Sequence, residues 1–124
     1  LSEIRATTIS DAAGTGPIAL TKQSAAKAWV NLDGNATPIS IRGSVNISSA
    51  TDLGAGYYEF AYSSNMSDAN YSSTTSSQAG ACGGVVEGST YTSSTVRYLG
   101  VSRLDAYTQQ EHDLACITAN GDLA

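Results

Sequence analysis

The sequence predicts an all-β chain folded as an antiparallel β-sandwich of seven to eight strands, and three observations carry that prediction. Apolar and polar residues alternate with a period of two through much of residues 26–124. Turn-forming clusters of Gly, Asn, Asp and Ser recur at intervals of about ten residues. No segment carries a convincing helical period; "DAYTQQEHDL" is the nearest and is too short.

Residues 1–25, "LSEIRATTISDAAGTGPIALTKQSA", read as an N-terminal arm. Gly14, Gly16 and Pro17 break any helix, and one short strand is expected at residues 18–21. The sandwich then occupies residues 26–124. Its first strand, "AKAWVNLD", sorts Ala26, Ala28, Val30 and Leu32 to one face and Lys27, Trp29, Asn31 and Asp33 to the other. Asp33-Gly34-Asn35 is a hairpin turn signal. "ISIRGSVNIS" follows as one long half-buried strand with Ile39, Ile41, Val45 and Ile47 on its apolar side. Gly43 falls in that apolar set, which marks a bulge or a close backbone approach.

Residues 52–56 have turn chemistry. Beyond them Tyr58, Phe60 and Tyr62 share a face opposite Tyr57, Glu59 and Ala61. "ANYSSTTSS" is a polar strand or sheet edge. "GACGGVVEGSTYTSS" is a loop with a strand at Val85 and Val86, and "STVRYLGVSRL" and "HDLACITAN" supply the last two strands.

The single Trp poses a problem. Trp29 shares its face with Lys27, Asn31 and Asp33, so either it lies on a polar face that something else covers, or it is a core residue and the Ala26/Val30 set faces a partner. Ile, Leu, Val, Met, Phe and Trp number only 24 of 124 residues, against 31 Ser and Thr and 18 Ala. Small side chains bury little area at roughly 25 cal/mol per Å², so the core is expected to be thin. Self-association is one remedy for such a deficit.

A net charge of −5, with six scattered basic residues, argues against nucleic acid as a partner, because phosphate binding needs clustered Lys and Arg. No apolar run approaches the ~20 residues of a bilayer-spanning helix, and no membrane insertion is expected. The opening residues lack the basic-then-apolar pattern of a Sec signal. Cys82 and Cys116 read either as two small buried hydrophobes or as a bridge between non-neighbouring strands; spacing does not choose between them. Without CxxC or His partners they make no zinc site.

Catalysis, metal and cofactor are not expected. His112 is the sole His, and a solvated or hydrogen-bonded role is its default over a catalytic triad or a metal on a subunit axis. With 18 Ser and 7 Asp, chance Ser-His-Asp sets and chance carboxylate pairs are unavoidable. Recognition fits the composition better. The Gly-rich region 80–112 carries Tyr91, Arg103, Asp105, Tyr107, Gln109 and Gln110, and aromatic faces beside planar polar groups suit sugar binding.

The motifs "KAWVNLDG" (27–34), Ile41-Arg42, "VNISSATDLGAGYY" (45–58) and "MSDANY" (66–71) occur in one order. Over residues 7–72 the chain resembles the short tail-fibre proteins and fibre C-terminal domains of tailed bacteriophages and prophages, many of them marine or cyanobacterial. "HDLACITANGD" fits the pattern loosely and residues 73–111 do not match it. Leu32 stands in place of the usual aromatic, "LGAG" replaces an Asn-Gly-Thr-Gly turn, and no Pro precedes Asp68. Leu1 stands where short members of this kind begin with Met-Ser, so the chain reads as a whole product from a non-standard start or as a trimmed fragment.

The resemblance implies a virion component assembled in the host cytoplasm, a homotrimer, and an arm that attaches to other tail or baseplate proteins. It implies Trp29 and Lys27 as subunit-interface residues, and a host-surface glycan or lipopolysaccharide as receptor. The alternative is a structural fibre tip or assembly adaptor that contacts tail proteins only. Four Asn-X-Ser/Thr sequons, at Asn35, Asn46, Asn65 and Asn70, are expected by chance in a chain this rich in Ser and Thr, and a phage product would carry no modification there.

Overall fold

Eight strands in two four-stranded antiparallel sheets make up the computed structural model, which describes residues 26–78, 81–85, 91–102 and 108–124. In chain order they are β1 (Ala28–Asp33), β2 (Ser40–Val45), β3 (Ile47–Gly54), β4 (Tyr57–Tyr62), β5 (Ser72–Ser77), β6 (Ala81–Val85), β7 (Thr95–Ser102) and β8 (Ala115–Asn120). One sheet has the order β2-β1-β8-β5 and the other β3-β4-β7-β6. The sandwich is therefore as the alternation predicts, and no helix occurs among the described residues. The arm, including the strand expected at residues 18–21, lies outside the described residues.

The two sheets bring unlike residues to the core. From the first come Ala28, Val30 and Leu32 of β1 with Ala115, Ile117 and Ala119 of β8; from the second come Tyr58, Phe60 and Tyr62 of β4 with Val96 and Tyr98 of β7. Rings on one side meet mostly small side chains on the other, which is how two sheets about 10 Å apart fill the gap without voids. Tyr58 and Tyr98 face each other in register, their ring centroids 6.0 Å apart. Tyrosine thus supplies volume that a count of Ile, Leu, Val, Met, Phe and Trp leaves out.

A phenol buried this way ordinarily needs a partner; Tyr58 and Tyr98 have one, whereas the buried Tyr62 hydroxyl makes no hydrogen bond. Tyr58 donates to the Glu111 carboxylate, and Tyr98 is bonded to His112 Nδ1 at 2.7 Å. Burial pushes the Tyr98 phenol up to about 12 and the Tyr58 phenol further still, so both stay neutral. Both partners lie on the segment before β8, which crosses one end of the sandwich. His112 is fully buried, its carbonyl accepts from the Gly34 amide at 2.9 Å, and its ring stands over Gly100, where a Cβ would come within 2.6 Å. The sole His is therefore a core residue, hydrogen-bonded through Nδ1 and with no hydrogen bond at Nε2.

The stretch read as one long strand is two strands in different sheets. The break is Asn46, at φ 56°, whose side chain accepts from the Ser64 amide at 2.6 Å and donates to the Ser64 carbonyl at 2.9 Å. Asn tolerates the left-handed region better than most residues, and here it turns the chain from β2 to β3. A bulge also interrupts β2: Asn31 faces Gly43 but Leu32 faces Ile41, leaving Arg42 as the extra residue. The bulge reverses the alternation, so Ile41 and Val45 do not share a face as the period suggested, and both are exposed. Arg42 is aimed by it at Asp33 (2.7 Å) and Asp113 (2.8 Å), tying β1 and β2 to the segment before β8.

Trp29 is settled by the same strand. Ala28, Val30 and Leu32 are the buried set, so the core-Trp alternative does not hold; Trp29 lies on the outer face, 39% exposed. Its ring covers Gly43, 3.3 Å from where a Cβ would sit, and Val45 is its partner across the ladder. Gly43 is both a bulge residue and a close approach. Lys27 extends β1 through its amide to the Ala119 carbonyl at 2.8 Å. Cys116 carries a free, partly buried thiol in β8, and the side chain of Cys82 lies outside the described residues.

Three measurements follow from this architecture. Asn46→Ala loses both the tolerated φ and the two side-chain bonds and should destabilise by about 1–3 kcal/mol in urea unfolding, whereas Asn46→Gly keeps the φ and should cost less. Gly100→Ala drives a methyl into the His112 ring and should cost about 1–3 kcal/mol. Burial lowers the His112 pKa below its ordinary 6.5, so the unfolded chain binds the extra proton more readily. Stability is then full above about pH 6.5 and falls as pH drops from there through the folded-state pKa. That fall below pH 6.5 should be absent in His112→Gln.

Candidate functional site

A cleft of about 330 Å³ opens at the end of the sandwich where β1 and β7 begin and β8 ends. Such a volume is near the lower end of the ~300–1,000 Å³ usual for small-ligand sites. One wall is the segment between β4 and β5, carrying Ser67, Asp68 and Asn70. The other is the chain leaving β8, with Asn120, Gly121 and Asp122, and Tyr71 forms the floor.

The walls are held together by backbone pairing. Met66 pairs with Leu123, the Ser67 amide donates to the Asp122 carbonyl at 2.8 Å, and the Ala124 amide to the Asn65 carbonyl at 2.9 Å. Met66 anchors its wall in the core, buried to 1% exposure, and its amide donates to the Ser93 carbonyl. Asp68 Oδ1 accepts from the Asn70 backbone amide at 2.6 Å, an Asx turn that fixes the Asp68 side chain and leaves its Oδ2 open. Gly121 lets the two walls approach: a Cβ there would lie 2.6 Å from Tyr71 Cβ.

Beneath the cleft three tyrosines interlock. The ring of Tyr71 meets Tyr62 edge-on at 5.8 Å and Tyr91 at 4.9 Å, and its hydroxyl donates to the Thr95 carbonyl at 3.0 Å. Tyr91 is bonded through its hydroxyl to Ser73. Burial raises the phenol pKa of Tyr62 and Tyr71, so the floor is uncharged and stiff. The lining residues above that floor carry two carboxylates, two amides and a hydroxyl, with no Lys or Arg among them.

The residues expected to bind a receptor are not gathered at one place. Tyr91 stands behind the cleft, packed on Tyr71. Gln109 pairs with Val101, at the far end of β7, and Gln110 lies against Gly56 there. Six residues of strand separate the two ends, roughly 20 Å. Arg103, Asp105 and Tyr107 lie outside the described residues. Nothing in the sequence singles out Asp68, Asn70, Asn120 and Asp122, because Asp-Ala-Asn and Asn-Gly-Asp have the composition of ordinary turns; only pairing of the two turns brings them together.

Among the described residues, no three His, Cys, Asp or Glu side chains gather as a metal centre. Fold and cleft together define a class: an antiparallel β-sandwich with a small, polar, acidic cleft at one end. Comparison with protein families, with characterised proteins and with solved structures found no match to this chain.

Gly121→Ala should test the cleft's construction. Its methyl meets Tyr71 at the backbone end of the side chain, which cannot swing away, so a loss of about 1–3 kcal/mol is expected. A shift of the Tyr71 and Asn120 resonances should accompany it, while those of Gln109 and Gln110 stay in place.

Proposed function

We propose that this chain is the receptor-binding domain of a bacteriophage or prophage tail fibre, and that it holds a host-surface glycan or lipopolysaccharide without covalent chemistry. The observation that carries the reading is the cleft: paired carboxylates and amides, fixed by an Asx turn and a backbone bridge, suit the directed hydrogen bonds of sugar hydroxyls. The motif order supports it as well. "MSDANY", one of the motifs that carry the resemblance, forms one wall of the cleft, and "KAWVNLDG" forms β1 and its turn.

The proposed assembly is a homotrimer on the virion, with residues 1–25 contacting other tail or baseplate proteins. Trp29 and Val45 lie side by side and exposed on the outer face of the first sheet. Trp is the residue most suited to burial at an interface core. Three clefts on one fibre would raise avidity by about 10²–10⁴ over one, turning a weak sugar contact into a useful host search.

A structural adaptor is the second reading, and the exposure of β2 and β3 favours it. These consecutive strands each form one edge of a sheet and leave Ile41, Val45 and Leu53 in water, a surface that another tail protein could pair with.

Asp122→Ala should weaken host-cell adsorption and glycan-array binding at least tenfold while leaving the unfolding midpoint within about 0.5 kcal/mol of the parent, as exposed substitutions usually do. Full adsorption by that variant, with capture of tail proteins alone, would favour the adaptor. Light scattering should give three times the chain mass. Trp29 emission should shift to the blue as dilute chains associate, and a chain that stays monomeric with its indole open to acrylamide would remove the trimer.

A further inference from the structure

The lining of the cleft also limits what sugar it can take. We propose that it selects an uncharged, hydroxyl-rich sugar and excludes anionic ones such as sialylated, uronic or phosphorylated glycans; this rests on the glycan reading above. Asp68 and Asp122 stand on opposite walls, and the remaining lining groups are Ser67, Asn70, Tyr71, Asn120 and a glycine, none of them cationic. An ionised carboxylate accepts hydrogen bonds and cannot donate one. Its natural partner is a hydroxyl group, and neighbouring hydroxyls of a sugar ring can reach both carboxylate oxygens or one carboxylate and one amide.

The geometry narrows the roles further. Asp68 Oδ1 accepts from the Asn70 backbone amide, so the Asp68 carboxylate offers its remaining acceptor sites, Oδ2 foremost, in a position set by the turn rather than by the ligand. The Asp122 carbonyl is held by the Ser67 amide, which fixes the backbone from which its side chain springs. Asn70 and Asn120, one on each wall, supply amide donors for ring and glycosidic oxygens. An anionic glycan would find the same two amides. Its charge, however, would enter a cleft lined by two carboxylates and no cationic side chain, and like charges repel. The net charge of −5 acts in the same direction at long range.

The experiment is a titration of the full chain with matched oligosaccharides, a neutral hexose series against its sialylated, uronic-acid and phosphorylated counterparts, at low and at physiological salt. The neutral series should bind at least about tenfold more tightly at low salt, and the gap should narrow as salt screens the carboxylates. Asp68→Asn and Asp122→Asn keep size and an oxygen acceptor, and Asp68→Asn can still serve the Asx turn. Each should admit anionic glycans several-fold better without altering the unfolding midpoint. Equal or tighter binding of an anionic glycan by the parent chain overturns the selectivity alone, as does a preference that survives both Asn variants. Binding of no glycan of either kind overturns the glycan reading itself, and this inference with it.

Discussion

Everything in this molecule depends on burying phenols. Tyr58, Tyr62 and Tyr98, with Phe60, fill one side of the core, and alanines of β1 and β8 leave room for them on the other. A Tyr ring contributes apolar area comparable to Phe, but its hydroxyl must be satisfied or pay a desolvation penalty of about 1–3 kcal/mol. That requirement reaches beyond the core. It fixes the segment before β8 across one end of the sandwich, through Glu111 and His112, and it fixes the Tyr71 floor through the Thr95 carbonyl at the other.

The two ends consequently differ in character. At the His112 end the side chains point inward and close on one another: Gly34 and Gly100 leave just enough space for Tyr58 and His112, and Arg42 ties the surface over them to Asp33 and Asp113. Arg42 is exposed, so its pairs act on geometry more than on stability. At the Tyr71 end the same kind of tyrosine packing forms a floor rather than a seal, and polar side chains remain open above it. Solvent-exposed polar side chains above a packed base are the arrangement that a recognition site needs.

Hydroxyl partners also explain why one exposed face coexists with a filled core. The chain has few aliphatic residues, and the sandwich places nearly all the large ones it describes, apart from Trp29, Ile41, Val45, Leu53 and Leu123, out of full contact with water. Trp29 covers Gly43 and so shields the bulged ladder between β1 and β2, a local task that a single chain can use. The ring's remaining exposure, together with that of Val45, is where the proposed assembly would gain its contact.

Alternation and turn chemistry by themselves determined the sandwich, the sorting of β1 and β4 into two faces, the hairpin at Asp33, and a turn within 52–56; β3 runs on to Gly54, Asp52 accepts from the Gly54 amide, and Gly54 and Gly56 take positive φ. These are local consequences of a two-residue period and of turn chemistry, both written within a few residues of each other. Only the tertiary structure decided where the strand after Asp33 breaks, because Asn46 is a hinge by virtue of bonds to Ser64, eighteen residues away. Likewise it decided which neighbours Trp29 has, that His112 is enclosed by Tyr98 and Gly100, and that two unremarkable turns, 68–70 and 120–122, form one cleft. Each of those outcomes is a pairing of distant segments, and a sequence states such pairings nowhere until the chain has packed.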